Sequence, residues 1–328
     1  MKNYRDLVPR QFLERLILLF GNKRLDEILE AFVTDRPTTF RVNCIKNSVD
    51  TISTTLKNCN IPVDSLSWIS GGFKLLNTPL RELQDTEIYK NGEIYVQSLS
   101  SMIPALILDP KPDEKILDLT AAPGSKTTQI AALMKNSGQI IANDNSPIRI
   151  HKLKANLDMQ GVTNTKVTNI AGQIFWQTYP EFFDKTLLDA PCSMEGRYSI
   201  KEPEESGEWS IKRIQSLADR QKWLLRSAVS ATKSGGTIVY STCTLSPEEN
   251  EDVIAWILKK EKGAVVLEDI FISNLPLEDG LTRWKNREFG DEMKKTKRIA
   301  PSHDMEGFFI AKLKKIRPTI HCELPVSE

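Results

Sequence analysis

Apolar positions along the chain change their spacing near residue 100. Before it, Phe12, Leu13, Leu16, Ile17 and Phe20 follow Pro9 at helical intervals, and Gly21 ends that run. Leu25, Ile28, Leu29 and Phe32 mark a second helix. Residues 39–45 alternate weakly and predict a strand, residues 48–58 an amphipathic helix, and Gly71-Gly72 a turn into a strand over 73–76. This is the pattern of a small α+β unit over residues 1–97. Beyond it, strands predicted at 115–119, 139–143, 166–169, 185–188 and 237–241 alternate with helical stretches. The longest covers 211–232, with Ile214, Leu217, Ala218, Leu224, Leu225 and Ala228 on one face. Such alternation predicts an α/β domain over 98–316, a doubly wound, Rossmann-like, mostly parallel sheet with helices on both sides. Ser246, Pro247 and Glu249 read as N-cap, N1 and N3 of a further helix, a capping box. Residues 307–311 read as one more strand, and 317–328 as a flexible tail.

Composition narrows the class. Apolar residues make up 40% and charged residues 27% of the 328, which excludes a disordered or collagen-like chain. The apolar run at 103–108 is far short of the roughly 20 residues of a membrane span. Arg5, Asp6, Arg10 and Glu14 interrupt any signal-peptide core, so the expectation is a soluble, cytoplasmic protein with no membrane partner. A net charge of +1 excludes a polybasic wrapper of nucleic acid. Residues 283–298 carry seven Lys/Arg against three Asp/Glu, either a solvated surface or the edge of a basic groove. Cys44, Cys59, Cys192, Cys243 and Cys322 show no CxxC spacing and stand apart from the three histidines. Neither a zinc or other metal site nor a disulfide framework is expected.

In a sheet of this kind, ligands bind beyond the carboxyl ends of the strands. After the first strand of the larger domain come Thr120, Ala121, Ala122, Pro123, Gly124, Ser125 and Lys126, small residues that let the backbone approach a ligand. Gly-Ser-Lys-Thr resembles a phosphate loop, but Ser125 occupies the place of the glycine before its lysine, so a nucleotide without a triphosphate suits it better. Asp144 ends the next strand and can accept hydrogen bonds from ribose hydroxyls. Asp189-Ala190-Pro191-Cys192-Ser193 and Ser241-Thr242-Cys243-Thr244 each put a cysteine just past a later strand.

Together with Pro9-Arg10-Gln11-Phe12, Arg41-Val42-Asn43, Tyr95-Val96-Gln97 and Glu306-Gly307-Phe308-Phe309, these segments resemble the Nop/Sun family of S-adenosylmethionine-dependent RNA 5-methylcytosine methyltransferases. The resemblance implies an enzyme that methylates cytosine C5 in rRNA or tRNA through a covalent adduct at C6. It implies Cys243 as nucleophile, Cys192 as the thiol that assists release, and Asp189 as a contact to the cytosine. It implies S-adenosyl-L-methionine as cofactor, held by residues Thr120 to Lys126, Asp144, Arg149 and Asp189. DNA cytosine methyltransferases, which attack through a Pro-Cys cysteine, would instead make Cys192 the nucleophile; Ser241 to Thr244 and the N-terminal unit favour Cys243.

The family also implies RNA as the partner of the N-terminal unit, with Arg36, Arg41, Lys46 and Lys57 as candidate phosphate contacts and 283–298 as a possible extension. A monomer is the default. Three positions depart from the family pattern. Thr120 stands where Cys is common, Met194 where Gly is usual, and Ala171 near the place of an Asp beside the adenine. Loss of that hydrogen bond predicts cofactor binding weaker by roughly 1–3 kcal/mol. Ala171 and Met194 also motivate an alternative, an RNA-binding assembly factor with a weakened cofactor pocket.

Overall fold

The computed structural model describes residues 4–201 and 209–319. Helix α1 (Arg10–Ala31) enters on Pro9 and bends at Gly21, whose φ of +71° is open to glycine, so the two predicted helices are the two arms of one kinked element. Strands β1 (Thr39–Val42), β2 (Val63–Ser65), β3 (Gly72–Leu75) and β4 (Ile94–Val96) form an antiparallel sheet in the order β2-β3-β1-β4. Helix α2 (Val49–Asn58), capped by Ser48, buries Ile52 and Leu56 against it, and the short helices α3 (Leu80–Gln84) and α4 (Glu87–Lys90) add Leu83 and Ile88. β1 does not alternate as expected, because both of its faces are covered. Phe40 and Val42 enter the small core, while Arg41 reaches across to the larger domain.

Helix α5 (Leu99–Leu108) leads into the large sheet. Its parallel strands are β5 (Lys115–Asp118), β6 (Gln139–Asn143), β7 (Thr165–Thr168), β8 (Phe183–Asp189) and β9 (Thr232–Thr242). Between them run α6 (Ser125–Leu133), α7 (Pro147–Gln160) and α8 (Ile211–Ala231). After α9 (Glu251–Lys260) come β10 (Val265–Glu268), β11 (Glu278–Asp279), the hairpin β12 (Arg283–Trp284) and β13 (Arg287–Glu288), β14 (Lys297–Ile299) and β15 (Phe308–Lys315). The sheet order is β7-β6-β5-β8-β9-β15-β14-β11, with β10 also on β15; β10, β11, β14 and β15 are antiparallel additions.

Period-two alternation sorts the core. Leu117, Ile141, Leu188 and Tyr240 face α8 and α9, whereas Ile116, Ile140, Leu187 and Val239 face α5 and α6. The parallel strands β5 to β9 bring the carboxyl ends of β5, β6, β8 and β9 to one rim.

The capping box fails. Helix α9 begins at Glu251 with Asn250 as N-cap, and residues 247–250 form turns. The side chains of Ser246 and Glu249 are taken by tertiary partners, Glu195 and Ser193 respectively, so neither is left to cap. The tail expected beyond Arg317 lies, from residue 320 on, outside the described residues, as does Cys322.

Candidate active site

The loop after β5 turns into α6 at Gly124, whose φ is +109° and where a Cβ would come within 2.9 Å of Leu153 Cδ1. The positive φ is what requires glycine, since the tip of Leu153 can give way. No side chain caps α6, so the N–H groups of its first turn face the rim. Asp144, almost fully buried past β6, accepts hydrogen bonds from the amides of Ala122 (3.3 Å) and Ser146 (2.9 Å). Arg149 on α7 pairs with Asp144 at 3.3 Å and also donates to the Ala122 carbonyl, joining the two loops. Asp118 ends β5 with one oxygen bonded by Thr127 at 2.7 Å and the other buried without a hydrogen-bond partner. Burial pushes its carboxyl up to about 7.

At the ends of β8 and β9 the chemistry converges. Asp189 pairs with Lys126 at 2.6 Å through one oxygen and accepts from the Ser241 hydroxyl at 2.7 Å through the other. Its carbonyl accepts from Thr120 at 2.8 Å, and Lys126 also donates to Ser101 at 2.8 Å. The residues expected at the site from Thr120 to Lys126, with Asp144, Arg149 and Asp189, thus share one rim. The Cys192 and Cys243 sulfurs lie 3.4 Å apart. Cys192 is buried and Cys243 is partly exposed. Hydrogen bonding with Cys243, together with burial, pushes the Cys192 thiol well up, although the Met194 amide opposes this. Cys192 therefore sits as a neutral thiol.

Met194 has φ +61°, the left-handed region that favours glycine. Behind it, the Gly196 amide donates to the Cys243 carbonyl at 3.0 Å and the Gly307 amide to the Gly196 carbonyl at 2.9 Å. The two glycines meet back to back: a Cβ on Gly307 would lie 2.9 Å from Gly196 Cα. Ala171 is exposed at the start of a 3-10 turn, Gly172–Gln177.

Four residues were not placed at the site from sequence. Asp118 is one. Glu249 and Gln221 are two more, buried together behind Cys192, where Glu249 accepts from the Ser193 amide at 3.0 Å and from Gln221 at 2.8 Å. Burial pushes Glu249 up to about 7, with neighbouring Glu195 adding to the effect. Its local sequence looked like a helix start, and only the distant partner Ser193 reveals the site. The fourth, Arg15 of α1, is nearly buried and bonds Glu248 at 2.6 Å and Ser246 at 3.0 Å, beside Cys243 in sequence.

Of the expected phosphate contacts, Arg41 is not available as such, while Lys46 is exposed but already makes two hydrogen bonds. Arg41 is buried, donating to Gln97 (2.8 Å), Thr128 (2.8 Å) and the Ser125 carbonyl (3.0 Å), and burial lowers it to about 10. Lys46 donates to the carbonyls of Asn91 and Met159, stapling the small sheet to α7. Lys57 is exposed. Arg36, with Nε and Nη2 lacking hydrogen-bond partners, lines a cleft of about 480 Å³ with Met194, Arg197 and Glu306. In the 283–298 run, Arg287, Lys294, Lys297 and Arg298 pair with Asp252, Asp291, Asp279 and Glu251, so four of its seven cations are already matched.

The family described as 16S rRNA methyltransferase RsmB/F matches residues 105–314. The tRNA (cytosine(49)-C(5))-methyltransferase of Pyrococcus abyssi is 41% identical over 281 residues, covering 84% of this chain and 88% of the archaeal protein. The 28S rRNA (cytosine-C(5))-methyltransferase of Mus musculus is 38% identical over 314 residues, 94% of this chain but only 39% of the mouse protein. Among solved structures, a methyltransferase homolog protein from Pyrococcus horikoshii superposes with a TM-score of 0.82 at 34% identity, covering 96% of this chain and 99% of that one.

Proposed function

The chain belongs to the RsmB/F family of rRNA methyltransferases, and from that premise we propose that it methylates C5 of a cytosine in RNA, with S-adenosylmethionine as donor. The observation that carries the reading is the thiol pair Cys192–Cys243, 3.4 Å apart on the same rim as the Lys126–Asp189 pair.

The residues of the rim fit the cofactor. A loop of small residues, the uncapped first turn of α6, the Asp144 acceptor and the unpaired Asp118 oxygen match a nucleoside carrying a charged amino-acid tail. Thr120 to Lys126 with Asp144 and Arg149 would hold it, and when bound it supplies an electrophilic methyl group. Cytosine C5 is a poor nucleophile. Cys243, the more accessible thiol, adds as thiolate to C6 and makes C5 electron-rich. Asp189, fixed by Ser241 and Lys126, takes the cytosine edge, while Lys126 balances the charge that addition places on the ring. In release, the C5 proton passes to a base, the C6–sulfur bond breaks, and its electron pair returns to Cys243. Cys192, a neutral thiol in contact with that sulfur, donates a hydrogen bond to it as it leaves. The target base must be unstacked to reach the rim.

Relatives named for rRNA and for tRNA are similarly close, so both RNA classes are substrates to test. The protein is incubated with labelled cofactor and each RNA, alongside Cys243→Ser and Cys192→Ser. Methyl incorporation by the native protein only, with a denaturant-resistant RNA adduct in Cys192→Ser, is the expected result. An adduct in Cys243→Ser alone would reverse the two roles. No incorporation into either RNA would return the protein to a binding factor.

A further inference from the structure

Glu249 is fully buried and takes no part in the steps above. Its backbone is fixed to the strand that delivers Cys243: Tyr240 on β9 donates to the Glu249 carbonyl at 2.6 Å. Asn250 beside it accepts from Thr242 at 2.6 Å and donates to the Thr244 carbonyl at 3.0 Å. Its side chain turns to the other loop. One carboxyl oxygen accepts from the Ser193 amide (3.0 Å) and from Gln221 (2.8 Å), and the other faces the hydroxyls of Ser193 and Thr244. Gln221, on α8, donates in addition to the Pro191 carbonyl at 2.9 Å. Cys192 is therefore gripped on both flanks, at Pro191 by Gln221 and at Ser193 by Glu249, from a point anchored to the Cys243 strand.

We propose that Glu249 and Gln221 form a positioning clamp that holds the Cys192 sulfur against Cys243, so that the clamp governs release of the covalent RNA adduct and not its formation. The proposal rests on the reading of Cys243 as nucleophile and Cys192 as the releasing thiol. A hydrogen-bonding clamp has a specific signature. Glutamine can replace Glu249, because its carbonyl can accept both N–H groups and its amide can donate to hydroxyls that rotate to accept. Alanine cannot.

Glu249→Ala, Glu249→Gln, Gln221→Ala and Cys192→Ser are compared with the native protein for adduct accumulated at steady state, methyl transferred in the first turnover, and cofactor dissociation constant. The expected result is at least tenfold more adduct in Glu249→Ala and Gln221→Ala, with first-turnover transfer down less than threefold and cofactor affinity unchanged. Glu249→Gln stays within about threefold of native on all three. Adduct at the native level in both Ala variants, while Cys192→Ser accumulates it, would overturn the clamp and leave the roles of the cysteines intact. Glu249→Gln as impaired as Glu249→Ala would also overturn it, since a proton and not a grip would then be needed. No adduct in Cys192→Ser would remove the releasing role itself, and the clamp with it. Gln221→Ala keeps the test open should Glu249→Ala fail to fold, because it frees the Pro191 flank and removes one bond to Glu249 while leaving Glu249 bonded to the Ser193 amide.

Discussion

Burial pushes Asp118 and Glu249 up to about 7, and the sign of that shift fixes how stability follows pH. A carboxyl whose folded value is raised contributes fully below its unfolded value, near 4, and the contribution is lost as pH rises through 7. Asp118→Asn removes that loss. Relative to native, the variant should gain on the order of 3 kcal/mol between pH 4 and pH 8, read from urea melts at both ends. A difference that does not grow with pH would show that Asp118 is ionised throughout. Met194 is the other single residue with a legible cost. At φ +61° Met194→Gly should stay within about 1 kcal/mol of native by thermal melting, whereas the β-branched Met194→Val should lose at least about 1 kcal/mol more. The left-handed turn falls at the position where the resemblance leads one to expect a glycine. Ala171 lies exposed at the edge of the cofactor rim, and Ala171→Asp should tighten cofactor binding by roughly 1–3 kcal/mol in calorimetry. An unchanged dissociation constant would separate that position from the adenine.

At the scale of elements, legibility followed periodicity. The strands of the large sheet and the long helix α8 were readable because alternation and a 3.6-residue repeat report burial directly. The start of α9 was not. Ser-Pro-Glu-Glu satisfies the local rule for a helix cap, and what overrides it is a hydrogen bond to Ser193, 56 residues away. β1 misled in the same manner: Arg41 read as a candidate phosphate contact, yet it bonds Gln97 and Thr128 between the two domains. Arg41→Ala would strand both partners in a buried interface. It should lower stability by about 2–4 kcal/mol while leaving the salt dependence of RNA binding unchanged. A reduced salt slope at native stability would restore it as a phosphate contact.

Across the whole molecule, the cleft holding Arg36 opens beside Met194, next to the cysteine loop; Arg197 there is already paired with Glu306, which makes Arg36 the cation to test against an RNA phosphate. Arg36→Ala should raise KM for RNA several-fold, cut the slope of log affinity against log salt by about 0.7–0.9, and leave the cofactor dissociation constant alone. An unchanged slope would assign the RNA path elsewhere. The kinked first helix raises a separate matter, that of the order in which the molecule is put together. The four-stranded sheet closes within residues 39–96, but Arg15 finds Glu248 only across 233 positions of chain. Phe12 and Phe32 likewise wait for Tyr198. A chain emerging from the ribosome therefore carries a helix whose apolar face has no seat until Tyr198 and the segment beyond it have been made. Contacts of such long range are slow to form and leave apolar surface open meanwhile. The partners of Arg15 lie just after Cys243 in the chain, so the first helix cannot close on the loop that carries that thiol until synthesis has passed Glu248.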